Sequence, residues 1–313
     1  MASPLRIVGL TKRFGDKVAL DDLTLTVPHG ACYGLVGPNG SGKSTTMRTV
    51  VGLARADSGS IEVCGVRTDV DIIAVRRTMG VMLDPLQLFD RLSAREFIST
   101  IGELRRLDTD VVDARSNEMF DILEIGDDAD RPIAGYSHGM RKKTALIAAL
   151  LHRPRLVMLD EPFEGVDPVS TRTMRLMLDR FRAGGGTIIL STHVMDVVER
   201  VCDHIGVIRS GRIVASGPID EIRAGRRLED AFIAAVGAEI PDKMDRARNA
   251  GKRVVIDGCE DHCARKIMEK TGLPADLHLD VTELGIEKKP AEPSLINDAR
   301  GVVERVTDML RSS

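Results

Sequence analysis

The feature that most constrains this chain is an eight-residue run, Gly37-Pro38-Asn39-Gly40-Ser41-Gly42-Lys43-Ser44. It lies between an apolar segment, ACYGLV at 31–36, and a stretch of helical character from about Lys43 to Leu53. It satisfies G-x-x-x-x-G-K-[ST] in the strand–turn–helix context that the pattern requires. Glycines let main-chain N–H groups turn toward phosphate oxygens without Cβ clashes, and the helix N-terminus adds positive potential. Lys43 can reach the β- and γ-phosphates of a nucleotide, and the Ser44 hydroxyl can ligate Mg2+. The candidate phosphate-binding set is therefore Gly37, Pro38, Asn39, Gly40, Ser41, Gly42, Lys43, Ser44 and the adjoining Thr45.

Composition narrows what such a cradle can serve. Of 313 residues, 43% are hydrophobic and 29% charged, which is ordinary for a globular chain and excludes wholesale disorder. No apolar run is long enough to cross a bilayer. The N-terminus, MASPLRIVGL, lacks the basic segment and long apolar core of a signal peptide, so the chain is expected to stay in the cytoplasm. A net charge of −3 gives no polycation for nucleic acid, and no Trp, two Tyr and seven Phe are too few for a base-stacking surface. Of the five cysteines, Cys32, Cys64 and Cys202 stand alone and read as small buried apolar residues.

The coarse pattern is α/β. Residues 5–10, 18–27, 31–36, 59–63 and 79–83 read as strands. A helical pattern runs from Ser93 to about Leu123, with Leu92, Phe97, Ile101 and Leu104 at helical spacing, and a helix is expected from near Ser137 to His152. LVMLD at 156–160 and TIILS at 187–191 are continuous apolar runs, and 204–216 reads as a hairpin around Ser210-Gly211. Such strands between helices imply a mainly parallel sheet covered on both faces, with ligands outside the carboxyl ends of its strands. A domain boundary is expected near residue 230. Beyond it, helices at 241–250, 260–271 and 295–311 and strands at 253–257 and 276–281 make a second, small α/β domain over 231–313.

The run at 156–160 ends in Asp160, followed at once by Glu161. An acid at the end of a buried strand can hold Mg2+, commonly through water. Its neighbour can orient and polarise an attacking water, because phosphoryl transfer is mostly positioning and charge stabilisation. Asp160 is thus the candidate metal holder, beside Ser44, and Glu161 the candidate water activator.

With these residues in order, the chain from about 5 to 230 resembles the nucleotide-binding subunit of ABC transporters. Tyr136-Ser137-His138-Gly139-Met140 stands where that family has its LSGGQ-like signature. Glu164-Gly165-Val166-Asp167 occupies its D-loop position, and Ser191-Thr192-His193 closes a strand as its switch histidine does. Phe14, in Thr11-Lys12-Arg13-Phe14-Gly15, sits where an aromatic stacks on adenine. The resemblance implies a P-loop NTPase fold: a RecA-like core over residues 1–230 with an antiparallel β subdomain and a helical insert at about 85–150. It also implies ATP and Mg2+ as ligands. Lys43, Glu161 and His193 would be catalytic, with His193 contacting the γ-phosphate. The partner would be a second ATPase subunit in a head-to-tail homodimer, whose Ser137, Gly139 and Asp167 complete the ATP site. Ser137 is a natural N-cap, so the helix it opens would aim its dipole at the partner's γ-phosphate.

Two departures stand out. Alignment on Gly80-Val81-Met82-Leu83 and Leu92-Ser93 puts Asp84 where the family usually has glutamine. Asp84 can accept bonds from Mg2+-bound waters and so joins the metal candidates, but it is shorter and cannot donate. His138 replaces the first signature glycine and Met140 the glutamine, a form similar to the branch serving ABC-2-type exporters of drugs, antibiotics or polysaccharide-like cargo. The tail resembles part of the small zinc-binding proteins named for a DGC motif, through Val254-Val255-Ile256-Asp257-Gly258-Cys259, Cys263-Ala264-Arg265-Lys266 and Asp280–Lys289. Cys259 and Cys263, one helical turn apart, would offer zinc two thiolates, with His262 or His278 as further candidates.

The expected function is therefore ATP hydrolysis on the cytoplasmic face of a membrane, coupled through the insert to transmembrane permease subunits and driving export. Two rivals are a soluble ABC-type ATPase of translation or DNA repair and a cassette used as a metal- or redox-responsive switch. One cradle and one signature argue against the two-cassette translation type. The span from Ser44 to Ser137 is too short for the coiled coil of the repair type. The third reading stands on the Cys259/Cys263 pair alone.

Overall fold

The computed structural model describes residues 3–225, 227–229, 231–232, 254–257, 265 and 275–280. The chain divides into two compact units, Met1–Glu229 and Asp230–Ser313.

The first unit opens with β1 (Leu5–Phe14) and β2 (Lys17–Val27), then β3 (Cys32–Val36), α1 (Lys43–Val50), β4 (Ser58–Val63), β5 (Val66–Arg67), α2 (Ile72–Thr78) and β6 (Met79–Met82). The insert carries α3 (Ala94–Leu104), α4 (Thr109–Ile122), a 3-10 turn at Ile133–Gly135 and α5 (His138–Leu150). The chain returns through β7 (Leu156–Asp160), α6 (Pro168–Ala183), β8 (Thr187–Thr192), α7 (Met195–Val201), β9 (His204–Arg209), β10 (Arg212–Pro218) and α8 (Ile219–Arg223).

Two sheets result. β2-β1-β4-β5 is antiparallel, with Leu5 opposite both Val27 and Val63. β10-β9-β3-β8-β7-β6 is parallel except for β10, which turns back on β9 through Ser210-Gly211. Every residue of β3, β7 and β8 is buried, as expected of strands covered on both faces. One core joins Leu5, Ile7, Leu25 and Val63 of the antiparallel sheet to Tyr33, Met158 and Ile189 of the parallel one, with Met47 and Val50 of α1 among them. The other packs Phe97, Phe120, Leu146 and Met174 of the helices against Val157, Leu159 and Leu190.

The single helical pattern read over 93–123 is two helices. Arg106 is left-handed (φ 57°), and α4 starts afresh after Asp108. The cause is tertiary. A Cβ on Gly102 would lie 2.4 Å from Val112 Cγ2, so the glycine lets α4 fold back onto α3. At the start of α3, Ser93 and Glu96 form a reciprocal capping box.

In the second unit, β11 (Val254–Asp257) and β12 (Leu277–Asp280) pair in parallel, Val254 opposite Leu277, with Val255 and Leu279 buried. The helices expected at 241–250, 260–271 and 295–311, together with Cys259, His262 and Cys263, lie outside the described residues. Among the described residues no helix is long and apolar enough to cross a membrane.

His152, between α5 and β7, donates from Nε2 to the Met79 carbonyl at 2.9 Å, while its buried Nδ1 has no hydrogen-bond partner. Burial, reinforced by Arg105 and Arg115, pushes its pKa from 6.5 down to about 4. The unfolded chain therefore takes up this proton first. The stability His152 contributes is complete above about pH 6.5 and drains as pH falls toward about 4. Thermal melts across that window are expected to fall less steeply with acidification for His152→Gln than for the parent. Parallel slopes would remove His152 from the acid response.

Candidate functional site

The carboxyl ends of β3, β7 and β8 converge on a cleft of about 270 Å3. It brings together Phe14, Asn39, Gly40, Gly42, Lys43, Ser44, Thr45, Glu161 and His193 from the predicted set. Gly37, Pro38 and Ser41 are not part of its lining but shape it from behind. A Cβ on Gly37 would sit 2.3 Å from the Ile208 carbonyl oxygen, so only glycine lets the loop pass that strand. Gly40 and Gly42 are left-handed, with φ 78° and 116°. Lys43 Nζ donates to the carbonyls of Gly37 at 2.8 Å and Pro38 at 3.4 Å, which holds the ammonium along the loop. Burial lowers its pKa from the usual lysine value, opposed by Glu161, Asp160 and Glu164.

Asp160, 1% exposed, is tied from two sides. Ser44 Oγ donates to its Oδ1 at 3.3 Å, and Ser191 Oγ makes a short hydrogen bond to the same oxygen. Glu161 follows in a left-handed conformation (φ 45°), its N–H shared between the Ser191 carbonyl at 3.2 Å and hydroxyl at 3.1 Å. That turn points the Glu161 carboxylate into the cleft, with Oε1 3.8 Å from Lys43 Nζ and 3.0 Å from His193 Nδ1. Glu161 and His193, two of the candidate catalytic residues, are thus in direct contact.

The residues present suit a magnesium-bound nucleotide triphosphate. Two left-handed glycines, Gly40 and Gly42, and the Lys43 ammonium line the cleft. Ser41 Oγ is buried without a hydrogen-bond partner. Ser44 and Asp160 form an adjacent hydroxyl–carboxylate pair of the hard oxygen type that Mg2+ favours.

Other predicted residues lie elsewhere. Ser137 caps α5, its Oγ accepting from Met140 N at 3.2 Å, and Asp167 caps α6, its Oδ1 accepting from Ser170 N at 2.9 Å. The Ser170 amide holds the Asp167 carboxyl below the usual carboxylate range. A Cβ on Gly139 would lie 3.4 Å from Asp167 Oδ2, so Gly139 and Asp167 are neighbours. None of the three lines the cleft of its own chain. Asp84 is exposed and also absent from the lining; its carbonyl accepts from Arg48 Nη2 at 2.9 Å. Its place as a metal candidate has no contact behind it here.

Lys17, Ala19 and Glu164 line the cleft without having been foreseen. Lys17 could have been found from its place just beyond Phe14, at the start of the next strand. The isolated cysteines are not equivalent: Cys202 and Cys32 are partners, and the Cys32 hydrogen bond together with burial pushes the Cys202 thiol far up. A thiol held protonated in this way is a poor nucleophile. Among the described residues no cluster of His, Cys, Asp or Glu could hold a metal by itself, and Cys259 and Cys263 lie outside them.

The chain is similar to several known proteins. A family model described as ABC transporter matches residues 20–164, and one described as DGC domain matches residues 219–306. The daunorubicin resistance ATP-binding protein DrrA3 of Streptomyces coeruleorubidus is 34% identical over 70% of each chain. The Nod factor export ATP-binding protein I of Burkholderia lata is 34% identical over 69% of this chain and 71% of its own. Among solved structures, an ATP-binding subunit of an ABC transporter aligns with a TM-score of 0.70 and 27% identity, covering 74% of this chain and 99% of that one. The cbiO1 protein of Clostridium perfringens, part of the ABC transporter complex cbiONQ, aligns with a TM-score of 0.64 and 26% identity, covering 79% of this chain and all of that one.

The steric reading of the loop is testable in thermal or denaturant unfolding. Gly37→Ala is expected to lose about 3 kcal/mol, because its Cβ meets backbone that cannot yield. Gly40→Ala, whose Cβ has open space but whose φ is left-handed, is expected to lose only about 1 kcal/mol. Equal losses would mean that the Ile208 contact does not constrain the loop.

Proposed function

The chain belongs to the ABC transporter family as an ATP-binding subunit with the P-loop NTPase fold and ATPase activity, and from that premise we propose that it powers export through separate membrane permease subunits from the cytoplasmic face. The observation that carries the catalytic reading is the Glu161–His193 contact, set beside Lys43 and the Ser44–Asp160 pair.

In this reading the N–H groups of the 37–45 loop and the Lys43 ammonium take the charge of the phosphates, and Phe14 stacks on the base. Ser44 and Asp160 hold Mg2+, which when bound supplies charge compensation at the phosphoryl oxygens. Glu161 accepts a hydrogen bond from the attacking water and takes its proton as the new bond to the γ-phosphorus forms and the bridging P–O bond breaks, with ADP leaving carrying the bridging oxygen and inorganic phosphate released. His193 steadies Glu161 through Nδ1, and its Nε2, when protonated, donates to a phosphoryl oxygen. Ser137, Gly139 and Asp167 lie off their own cleft and serve a second copy arranged head to tail. That placement supports a homodimer with two shared sites.

A mostly apolar groove of about 360 Å3 runs between the end of β6 and the insert, lined by Met82, Leu86, Leu88, Phe97, Ile101 and Leu104. It suits a permease helix with an apolar face. The names of the relatives, daunorubicin resistance and Nod factor export, support export as the direction.

Glu161→Gln keeps the volume and loses the base. It is expected to bind ATP as the parent does, to lose about a hundredfold or more in hydrolysis, and to elute as an ATP-trapped dimer in size-exclusion chromatography. Parent-like turnover would remove Glu161 from its role. An ATP-loaded monomer that still fails to turn over would remove the shared-site arrangement instead.

A further inference from the structure

Lys142 occupies the buried side of α5, one and two turns before Leu146 and Ala149, and is 1% exposed. Methionine would fill that space without desolvating an ammonium, so the charge needs a reason. Its Nζ donates to two carbonyls of the segment after β7: Glu161, through a very short bond, and Glu164 at 2.8 Å. His138, one turn earlier on the same helix, reaches the Glu164 carbonyl through Nε2 at 3.2 Å.

The consequence falls on Glu161. Its N–H is fixed by Ser191 and its carbonyl by Lys142, so the peptide planes on both sides of its Cα are set. Its left-handed conformation is one that a non-glycine residue keeps only when its surroundings over-determine it. The direction of the Cα–Cβ bond, and so of the carboxylate toward Lys43 and His193, follows from those two anchors.

We propose that Lys142 is a positioning residue for Glu161, strapping the Glu161–Glu164 backbone to the helix that Ser137 opens, so that the aim of the catalytic carboxylate depends on where that helix lies. This rests on the reading of Glu161 as the water-activating carboxylate. Burial lowers the Lys142 pKa, while Asp84, Glu164, Glu161 and Asp160 act in the opposite sense.

Steady-state ATP hydrolysis by the full chain, with KM and kcat separated, tests this. Lys142→Met is expected to lower kcat about tenfold or more while KM for ATP stays within about twofold, since only the aim of the carboxylate is lost. Lys142→Arg, which can still donate to both carbonyls, is expected to recover most of kcat. Parent-like kcat in Lys142→Met overturns the proposal. So does a loss shared between kcat, KM and melting temperature that arginine does not rescue, because that pattern marks a packing role. Should Lys142→Met not fold, Lys142→Gln decides: its shorter side chain is expected to lower kcat selectively, and an unchanged kcat overturns the inference. Glu161→Gln separates the two levels. If it still hydrolyses ATP, the underlying reading has failed; if it is inactive while Lys142→Met turns over normally, the positioning role alone has failed.

Discussion

A carboxyl group that is 1% exposed needs hydrogen-bond partners in place of water, and Asp160 finds them in two serine hydroxyls from different parts of the chain. Ser44 brings the first turn of α1, and with it the glycine loop. Ser191 brings the end of β8, and through its carbonyl and hydroxyl it also holds the amide of Glu161. The glycine loop, Asp160 and Glu161 are therefore fastened at one point. Without that knot the cleft would still be a glycine turn beside two acids, but no geometry would relate them.

The parts of this arrangement that were legible in the sequence are those whose physics is local. The Gly37–Ser44 spacing, the continuous apolar strands ending at Asp160 and Ser191, and the turn at Ser210-Gly211 are each written in a few consecutive residues. What was not legible depends on contacts between distant residues. The break at Arg106 carries no glycine or proline signal of its own, because it comes from Gly102 admitting Val112. Lys142 stands in a run of basic residues, Arg141-Lys142-Lys143, that by itself assigns it no partner. Only its phase with Leu146 and Ala149 hinted that it turns inward, and its two carbonyl partners lie beyond the next strand. Asp84 was assigned by alignment to the cleft, yet its side chain is exposed outside the lining.

The same contrast holds for the residues that cap helices. Ser137 and Asp167 each satisfy a main-chain N–H at a helix start, a complete structural role in itself. Both residues are nonetheless exposed. A residue that does local work while facing outward can serve an assembled site without any rearrangement of its own backbone. This is why a single chain can look finished at these positions and still hold only half of a shared reaction site.

The mechanical reach of the cleft follows from short bonds rather than from distance. Arg48, in the last turn of α1, donates to the Asp84 carbonyl at the end of β6, next to Leu83 and Leu86 on the rim of the apolar groove. Helix α5 supplies the opposite wall of that groove through Ala145, Ala148 and Ala149, and its Lys142 is bonded to the carbonyls of Glu161 and Glu164. A helix seated in the groove would therefore bear on two elements at once, one bonded to the phosphate-binding helix and one to the catalytic turn. Packed interiors deform little, so a displacement at either wall is passed on as a shift of whole elements rather than absorbed. On the proposed reading, a permease segment would need no contact with nucleotide to sense it: prying α5 from the end of β6 would change the aim of Glu161 relative to Lys43, and the reverse would hold by reciprocity of binding free energies.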